Sequence, residues 1–359
     1  MDNLMAYWFL LIPGACIAGL LVWFKKQNIT VSWQIMVLYA VVSIALVFGT
    51  FGIYESYKTT ATEVWNGEIV NKSRHHDSYV RSYSCNCRTT KSGDSTSISC
   101  DTCYEDHYTV TWACGTTIGP VTIDYADWTS RAVYDLPNPN RWTQIQPGEP
   151  VSIPHKYTNW VQAAPQSLFQ THFGSDAAFK DMIPAYPDKL YDYYHVNRFL
   201  PVGVAVPDAL EWNAGIQEML KRRGPIKEVN AIVVVVNSAD EHYQYALQDA
   251  WIGAAKNDVV LVLGSTHYPK IDWVAVLSWT DQNLFKIELH DAVEKLGTID
   301  REKILSILGN QIDKNFQRRH MREFAYLKSE ISPPTWLLVL LAIFLVGAAY
   351  GAARIQQAG

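Results

Sequence analysis

Three long segments without charged side chains limit what this chain can fold into. Residues 6–24, 31–54 and 336–353 contain no Asp, Glu, Lys or Arg over 19, 24 and 18 residues. Each is long enough to cross a hydrocarbon layer of about 30 Å as a helix. Asp2 is the only charged side chain before the first segment, and the second segment follows closely, so a cleaved signal peptide is disfavoured. The sequence predicts an integral membrane protein in contact with the lipid bilayer, with an N-terminal transmembrane helical hairpin and a C-terminal transmembrane helix.

The charges flanking these segments predict an orientation. Lys25 and Lys26 lie in the short loop between the first two segments, whereas the N-terminal tail has no basic residue. Because basic residues in short loops stay in the cytoplasm, we expect this loop and the C-terminus with Arg354 to be cytoplasmic, and residues 55–332 to be extracytoplasmic. Four basic residues close before the last segment oppose this orientation: Arg318, Arg319, Arg322 and Lys328. Long domains translocate largely regardless of charge, so the short loop has more weight.

Composition narrows the class of partner. Charged residues make up 18% of the chain, against about 25% in an average soluble protein. The formal net charge is -5, and no basic tract alternates with aromatic residues as nucleic-acid binding requires. A nucleic-acid partner is therefore not expected.

A polar segment at 85–107, CNCRTTKSGDSTSISCDTCYEDH, concentrates four cysteines and a histidine. Outside the cytoplasm such cysteines form disulfides. In the cytoplasm the same spacing suits a zinc site. The compartment decides between the two, and the predicted orientation favours disulfides. The disulfide candidates are Cys85, Cys87, Cys100, Cys103 and Cys114, an odd number that leaves one unpaired. The zinc ligands in the alternative are Cys85, Cys87, Cys100 and Cys103, with His107 as a substitute.

The residues between the membrane segments predict two folded units, which makes the chain an α+β membrane protein. Segments 64–70 and 108–114 alternate apolar and polar residues as half-buried strands do, so we expect a small antiparallel β domain over 62–154 with a Cys-rich loop. Residues 155–206 lack periodicity and are interpreted as an irregular connector. Residues 207–328 predict an α/β domain, in which strand, helix and strand imply a right-handed crossover. Its predicted helices are 207–224, 240–255 and 300–328, and its predicted strands are 229–236, 259–263 and 271–279.

The order of these elements resembles the TPM domain, named after thylakoid-lumen phosphatase-like proteins, over about 209–324. The similarity rests on the helix ending at Gly224, the strand 231–236, the segment Trp-Ile-Gly at 251–253 and the segment 256–262. The family implies an α/β/α domain held outside the cytoplasm by a C-terminal helix. This chain departs from the pattern at Asp258, where the family has Gly, and lacks its acidic turn and its glycine-rich stretch. Because the acidic turns are associated with metal binding, the resemblance does not imply phosphatase activity here.

The Cys-rich region resembles uncharacterised phage-encoded membrane proteins with Cys-x-Cys-Arg and Cys-x-x-Cys-Tyr-Glu patterns. That resemblance implies no mechanism. No catalytic residue is predicted, since no GxSxG, P-loop or HExxH motif is present. Asp240 and Asp258 are candidate ligands for Ca²⁺ or Mg²⁺, because these ions prefer carboxylate oxygens. The alternative is that Asp240 favours the start of a helix and that Asp258 is a solvated loop charge.

These observations leave three hypotheses for function. The first is a membrane-anchored, non-enzymatic protein whose extracytoplasmic domains bind another envelope protein or assembly. The second is an extracytoplasmic metal-dependent, phosphatase-like hydrolase, and the third is a zinc-binding membrane protein that faces the cytoplasm. Gly347 and Gly351 form a small-xxx-small pattern that favours close helix packing. This pattern predicts packing against Ala15 and Gly19 in the same chain, or homo-oligomers.

Overall fold

The computed structural model describes residues 11–26, 32–92, 95–164, 176–192 and 195–358. The first five residues of the predicted span 6–24, the loop residues 27–30 and the first residue of the span 31–54 lie outside the described residues.

Helices occupy all three apolar segments. They are α1 (Ile12–Lys26), α2 (Trp33–Thr59) and α10 (Thr335–Ala358). Val47 of α2 packs with Leu338, Leu341 and Leu345 of α10, and the Tyr39 hydroxyl donates a hydrogen bond to the Leu345 carbonyl at 2.9 Å. Large apolar side chains elsewhere on these helices are exposed. Exposed apolar side chains on helices that pack against one another are what a lipid environment favours.

One of these helices is long and apolar enough by itself to cross a membrane, over Met36–Thr59. The C-terminal helix meets the same criterion over Thr335–Gly351 only together with the 3-10 helix Met321–Glu330, from which it is bent by 61°. The described part of α1 has 15 residues, fewer than a spanning helix needs. A membrane helix is thus supported, and the three-span arrangement stays a prediction.

The β domain follows α2 without a break. It comprises β1 (Thr60–Ser92), β2 (Ser95–Thr116), β3 (Val121–Trp128) and β4 (Pro150–Thr158), in the sheet order β3-β2-β1-β4 with antiparallel neighbours. Its core surrounds Ile69, Ile145 and Val151. The 3-10 helix Arg131–Asp135 and α3 (Asn140–Gln144) supply Val133 and Trp142 to the same side.

The prediction of a Cys-rich loop is wrong, because the cysteines lie within β1 and β2. The predicted strands 64–70 and 108–114 are only parts of these strands. Ser, Gly and Asp around position 93 resemble turn chemistry. The flanking Thr and Tyr residues nevertheless form cross-strand pairs, which stabilise a sheet.

The α/β domain is a four-stranded sheet between two helical layers. Its elements are β5 (Phe199–Val202), α6 (Ala209–Lys227), β6 (Asn230–Val236), α7 (Tyr243–Ala250), β7 (Asp258–Gly264), β8 (Trp273–Ser278), α8 (Asn283–Glu294) and α9 (Arg301–Asn315). The order is β5-β6-β7-β8, parallel except for β8. Every residue of β6 and β7 is buried, as their continuous apolar runs predict.

The two crossover helices lie on opposite faces of this sheet. Trp212 and Ile216 of α6 pack with Val233 and its neighbours on one face, whereas Tyr243 of α7 packs with Val234 on the other. The strands β5, β6 and β7 are adjacent and step in one direction. Helices on opposite faces then require crossovers of opposite hand, so one of them departs from the right-handed rule.

Two segments differ from the sequence prediction. The connector 155–206 contains the end of β4, the short helices α4 (Trp160–Ala163) and α5 (Asp176–Phe179), and the edge strand β5. The predicted helix 300–328 ends at Asn315, because Phe316 turns into the core beside Phe285 at 5.6 Å between ring centroids. Tertiary packing overrides helical periodicity there.

Gly224 shows how closely the two domains approach. A Cβ atom at this position of α6 would overlap the backbone oxygen of Asn66 in β1. Only glycine allows this approach. The sequence predicted that the helix ends at Gly224, but this residue is instead a contact point between the domains.

Candidate functional site

The far part of the β1-β2 hairpin extends beyond the other two strands of its sheet. The strands pair from Ile69 and Thr116 to Ser92 and Ser95, but β3 covers β2 only over 108–114 and β4 covers β1 only over 60–68. Residues 78–92 and 95–107 therefore form a two-stranded arm, which we call the ribbon. Fifteen residues at about 3.3 Å each give a length of about 50 Å.

Two disulfides cross-link the ribbon, as the sequence predicts for an extracytoplasmic domain. Cys85 pairs with Cys103, and Cys87 pairs with Cys100. The pairing shifts register between Cys85 and Arg88, where Asn86 has a left-handed backbone with a φ of 47°. Such a bulge changes which face later side chains occupy. The register thus places the two disulfides on opposite faces of the ribbon, so each face carries one cross-link between the strands.

The remaining cysteines are free thiols in the structure. Cys114, a disulfide candidate, is buried beside Ile69 and Ile123 in the core of the β domain, and Cys16 lies on α1. The five candidate cysteines are an odd number, and Cys114 is the one that the two disulfides leave unpaired. A zinc site would use the four sulfur atoms of the two disulfides, and would therefore require both to be reduced.

Exposed apolar and aromatic side chains line the ribbon. Val80, Tyr104 and Ile98 are 60%, 72% and 70% exposed, and the register places all three on one face. Tyr79 and Tyr83 lie on the other face and are 46% exposed. Tyrosine contributes large contact area at protein interfaces. The face with Val80, Ile98 and Tyr104 is called the ribbon face below.

His107 lies at the base of the ribbon and not with the cysteines. Its Nδ1 is 2.7 Å from Asp127 Oδ1, and its ring stacks on Tyr79. Along β2 it is four residues from Cys103, about 13 Å, too far for one metal ion to bind both. The Tyr79 hydroxyl donates to Asp127 Oδ2 at 2.7 Å. This hydrogen bond, followed by that from His107, lowers the pKa of Asp127.

A buried polar network joins the β domain to the α/β domain. Arg198 is fully buried and donates hydrogen bonds to Asn66, to Ser152 Oγ at 2.7 Å and to Asn230 Oδ1 at 2.7 Å. Burial lowers the pKa of Arg198 to about 10. Buried charges persist where hydrogen bonds satisfy them, so this network fixes the position of the two domains.

Asp258 continues the network into the sheet. Its carboxylate accepts hydrogen bonds from Asn230 Nδ2 at 2.8 Å, from the Tyr186 hydroxyl at 2.6 Å and from the Ala255 amide at 2.8 Å. Burial raises its pKa to about 6. Asp258 is therefore not a solvated loop charge, since each hydrogen bond that it accepts here comes from a protein donor.

Asp240 lies at the other end of the sheet. Asp258 begins β7, level with Asn230, whereas Asp240 follows the end of β6. Its Oδ1 accepts from the His242 amide at 2.9 Å and lies 2.6 Å from His242 Nδ1. The length of β6, about 20 Å, separates the two carboxylates, so one cation cannot bind both. A cation site at either residue stays a prediction.

Glu63 forms a second buried junction, which the sequence did not indicate. This fully buried carboxylate of β1 pairs with Arg318 and lies 3.9 Å from Lys256 Nζ. The Trp65 indole donates to it at 2.8 Å. Arg318 also pairs with Glu228. Arg318 is therefore held by the folded domains, 255 residues from Glu63 in sequence, and local patterns carry no signal of such a contact.

Helices α1 and α10 enclose a groove of about 900 Å³. Ala15, Gly19 and Gly347 line it, so the small residues of both helices face the same space. A Cβ atom at Gly19 or Gly347 would meet no other atom within 4 Å. The small residues thus leave room between the helices instead of bringing their backbones together. Homo-oligomerisation through Gly347 and Gly351 stays a prediction.

Comparisons with protein-family models, with curated proteins and with solved structures found no match for this chain.

Proposed function

We propose that this chain is a three-span membrane protein that presents its β and α/β domains outside the cytoplasm and binds another envelope protein through the ribbon. The ribbon face carries the proposal. Val80, Ile98 and Tyr104 are solvent-exposed on an arm stabilised by two disulfides. A two-stranded hairpin alone is at best marginally stable in water. Each disulfide closes a loop of a length for which the stabilisation is about 3 kcal/mol. The disulfides therefore stabilise the ribbon, which has no hydrophobic core of its own.

The packing of the membrane helices supports the proposed orientation. Ile12 and Cys16 lie with Leu338–Leu345, and Phe24 lies with Ala349, so α1 and α10 run in the same direction. Both folded domains lie at the end of the bundle where α2 stops and α10 begins. At this end Lys328, shortly before α10, forms an ion pair with Glu55 of α2. Lys25 and Lys26 end α1 on the opposite side.

The basic residues that oppose this orientation are largely engaged by the folded domains. Arg318 pairs with Glu63 and Glu228. Arg319 pairs with Asp281 and Glu323. These arginines belong to a long folded region, and long domains translocate largely regardless of charge, so they have less weight than the short loop with Lys25 and Lys26. Disulfides in the ribbon also fit an oxidising compartment.

Site-specific photo-cross-linking tests this proposal. A photoreactive amino acid is placed at Tyr104 in the full chain in its native membranes, with Tyr245 on the exposed surface of α7 as the matched control position. We expect a discrete adduct with a second protein at position 104, lost when Val80→Ser and Ile98→Ser are introduced together. Adducts of equal yield at position 245, or none at position 104, would contradict binding at the ribbon face.

A further inference from the structure

The ribbon has two open edges. Beyond the reach of β3 and β4, the edge of 78–92 that points away from β2 and the edge of 95–107 that points away from β1 pair with no described strand. In an antiparallel strand every second residue directs its N–H and C=O groups outward. Such an edge is a template for a further strand.

The charges of the ribbon are sorted by strand. Residues 78–92 contain three basic residues and no acidic residue, whereas 95–107 contain three acidic residues and no Lys or Arg. The basic residues are Arg81, Arg88 and Lys91, and the acidic residues are Asp101, Glu105 and Asp106. All six are exposed. Among the described residues, no carboxylate lies within 4.0 Å of any of these three basic side chains.

We propose that copies of this chain associate side by side through these edges, the acidic edge of one ribbon against the basic edge of the next. This proposal rests on the proposed function in one respect, the anchoring of every copy in the same membrane. It does not depend on which protein binds the ribbon face. Copies anchored in one membrane project their ribbons in the same direction. Rotation about an axis along the ribbon then places β2 of one copy beside β1 of its neighbour, and these strands run antiparallel.

The register of the hairpin sets which residues meet. Such a rotation leaves the height of each residue unchanged. Arg81 is level with Glu105 within the hairpin, so Arg81 of one copy is also level with Glu105 of the next. Arg88 is level with Ser99, two residues from Asp101. Opposite charges thus approach at two heights of the same edge.

A second copy fits these edges better than other arrangements. Two-fold pairing of like edges along a common axis would place β1 beside β1, with basic residues facing basic residues, which is destabilising. A different protein would have to supply one acidic and one basic strand to occupy both edges. Head-to-tail contacts, in which each copy uses two different surfaces, form closed rings when the rotation closes.

Charge reversal in the full chain tests the proposal. One variant reverses the basic edge with Arg81→Glu, Arg88→Glu and Lys91→Glu. A second reverses the acidic edge with Asp101→Lys, Glu105→Lys and Asp106→Lys. A control reverses three exposed carboxylates of the α/β domain with Glu241→Lys, Asp291→Lys and Glu294→Lys. The measurement is the mass of the protein in lipid nanodiscs or detergent micelles, as multiples of the 40.6 kDa chain.

The wild type and the control are expected to give several chains per particle at about 50 mM salt and fewer at about 1 M, where the screening length falls to about 3 Å. Each triple variant alone should give single chains. An equal mixture of the two variants, and the variant with all six reversals, should assemble again, which excludes misfolding as the cause of the loss.

Three results would overturn the proposal. Wild type that remains a single chain at low salt leaves the edges without a second copy. Assembly unchanged by either triple reversal places the contact elsewhere, for example on the membrane helices. Assembly that is lost in one triple variant but kept in the other indicates pairing of two like edges. Each result is independent of the adduct expected at Tyr104, so the two proposals can fail separately.

Discussion

Arg198 and Asn66 share a buried hydrogen bond that joins the two folded domains across 132 residues of sequence. Arg198→Met keeps most of the side-chain volume but removes the donor to Asn66, Ser152 and Asn230. Charge-assisted hydrogen bonds contribute about 1.5–3 kcal/mol each and these three are lost, but the cost of burying the charge is removed as well, so we expect a net destabilisation of about 3 kcal/mol. The thermal midpoint of the full chain in detergent measures it. Arg222→Met on the exposed side of α6 is the control, and an equal effect of both would contradict the role of Arg198.

The approach of α6 to β1 predicts a steric effect at Gly224. A methyl group there meets the backbone of Asn66, which cannot move aside easily. Overpacking of this kind costs about 1–3 kcal/mol, so Gly224→Ala should lower the unfolding midpoint clearly. At Gly215 on the same helix, the new methyl group meets only the end of the Leu305 side chain. Gly215→Ala should therefore cost less, and the reverse order would show that the domains are not in contact at Gly224.

Asp258 predicts a pH dependence of stability. Its folded pKa of about 6 lies above the ordinary 3.8, so between pH 4 and 6 the folded state holds a proton that the unfolded chain has released. Stability from this group is therefore largest below about pH 4 and falls as pH rises to about 6, by about 3 kcal/mol. Unfolding midpoints measured at pH 4, 5 and 6 test this.

Two variants separate this effect from other carboxylates. Asp258→Asn should remove the decline between pH 4 and 6. Asp272→Asn should leave it, because hydrogen bonds from Thr266 lower the pKa of Asp272 to about 2. Asp272 contributes stability above pH 3.8 that is lost as pH falls through about 2. A decline that persists in Asp258→Asn would contradict the assignment.

The state of the cysteines predicts a thiol count. In denaturant without reductant, we expect only Cys16 and Cys114 to react with a maleimide. Reductant should raise the count to all six. A chelator in place of reductant should change nothing. Six reactive thiols in denaturant and chelator alone would show a metal site and not disulfides.

The sequence predicts those parts of the fold that depend on local patterns. Strands β6 and β7 are continuous apolar runs that the structure buries on both faces, and α1, α2 and α10 coincide with uncharged segments. Strand β5 was missed because it has only four residues and contains Pro201, which is tolerated at a sheet edge.

The candidate site was predictable only in part. The sequence indicates disulfides as the favoured of two alternatives for the cysteines, but it does not indicate the ribbon, because Ser, Thr and Gly around position 93 resemble a loop. The contacts of Arg198 with Asn66 and of Arg318 with Glu63 join residues far apart in sequence. Polar contacts of this kind leave no periodic signal, since they depend on how complete elements pack.

The proposed orientation places the ribbon outside the cytoplasm. A site for a specific protease is inserted between Ser92 and Ser95 in one variant, and between Lys26 and Ser32 in another. The protease is then added to right-side-out membrane vesicles prepared from cells that express each full-length variant. We predict cleavage at the ribbon and protection between Lys26 and Ser32 until detergent is added. Protection of the ribbon with cleavage between Lys26 and Ser32 would show the opposite orientation.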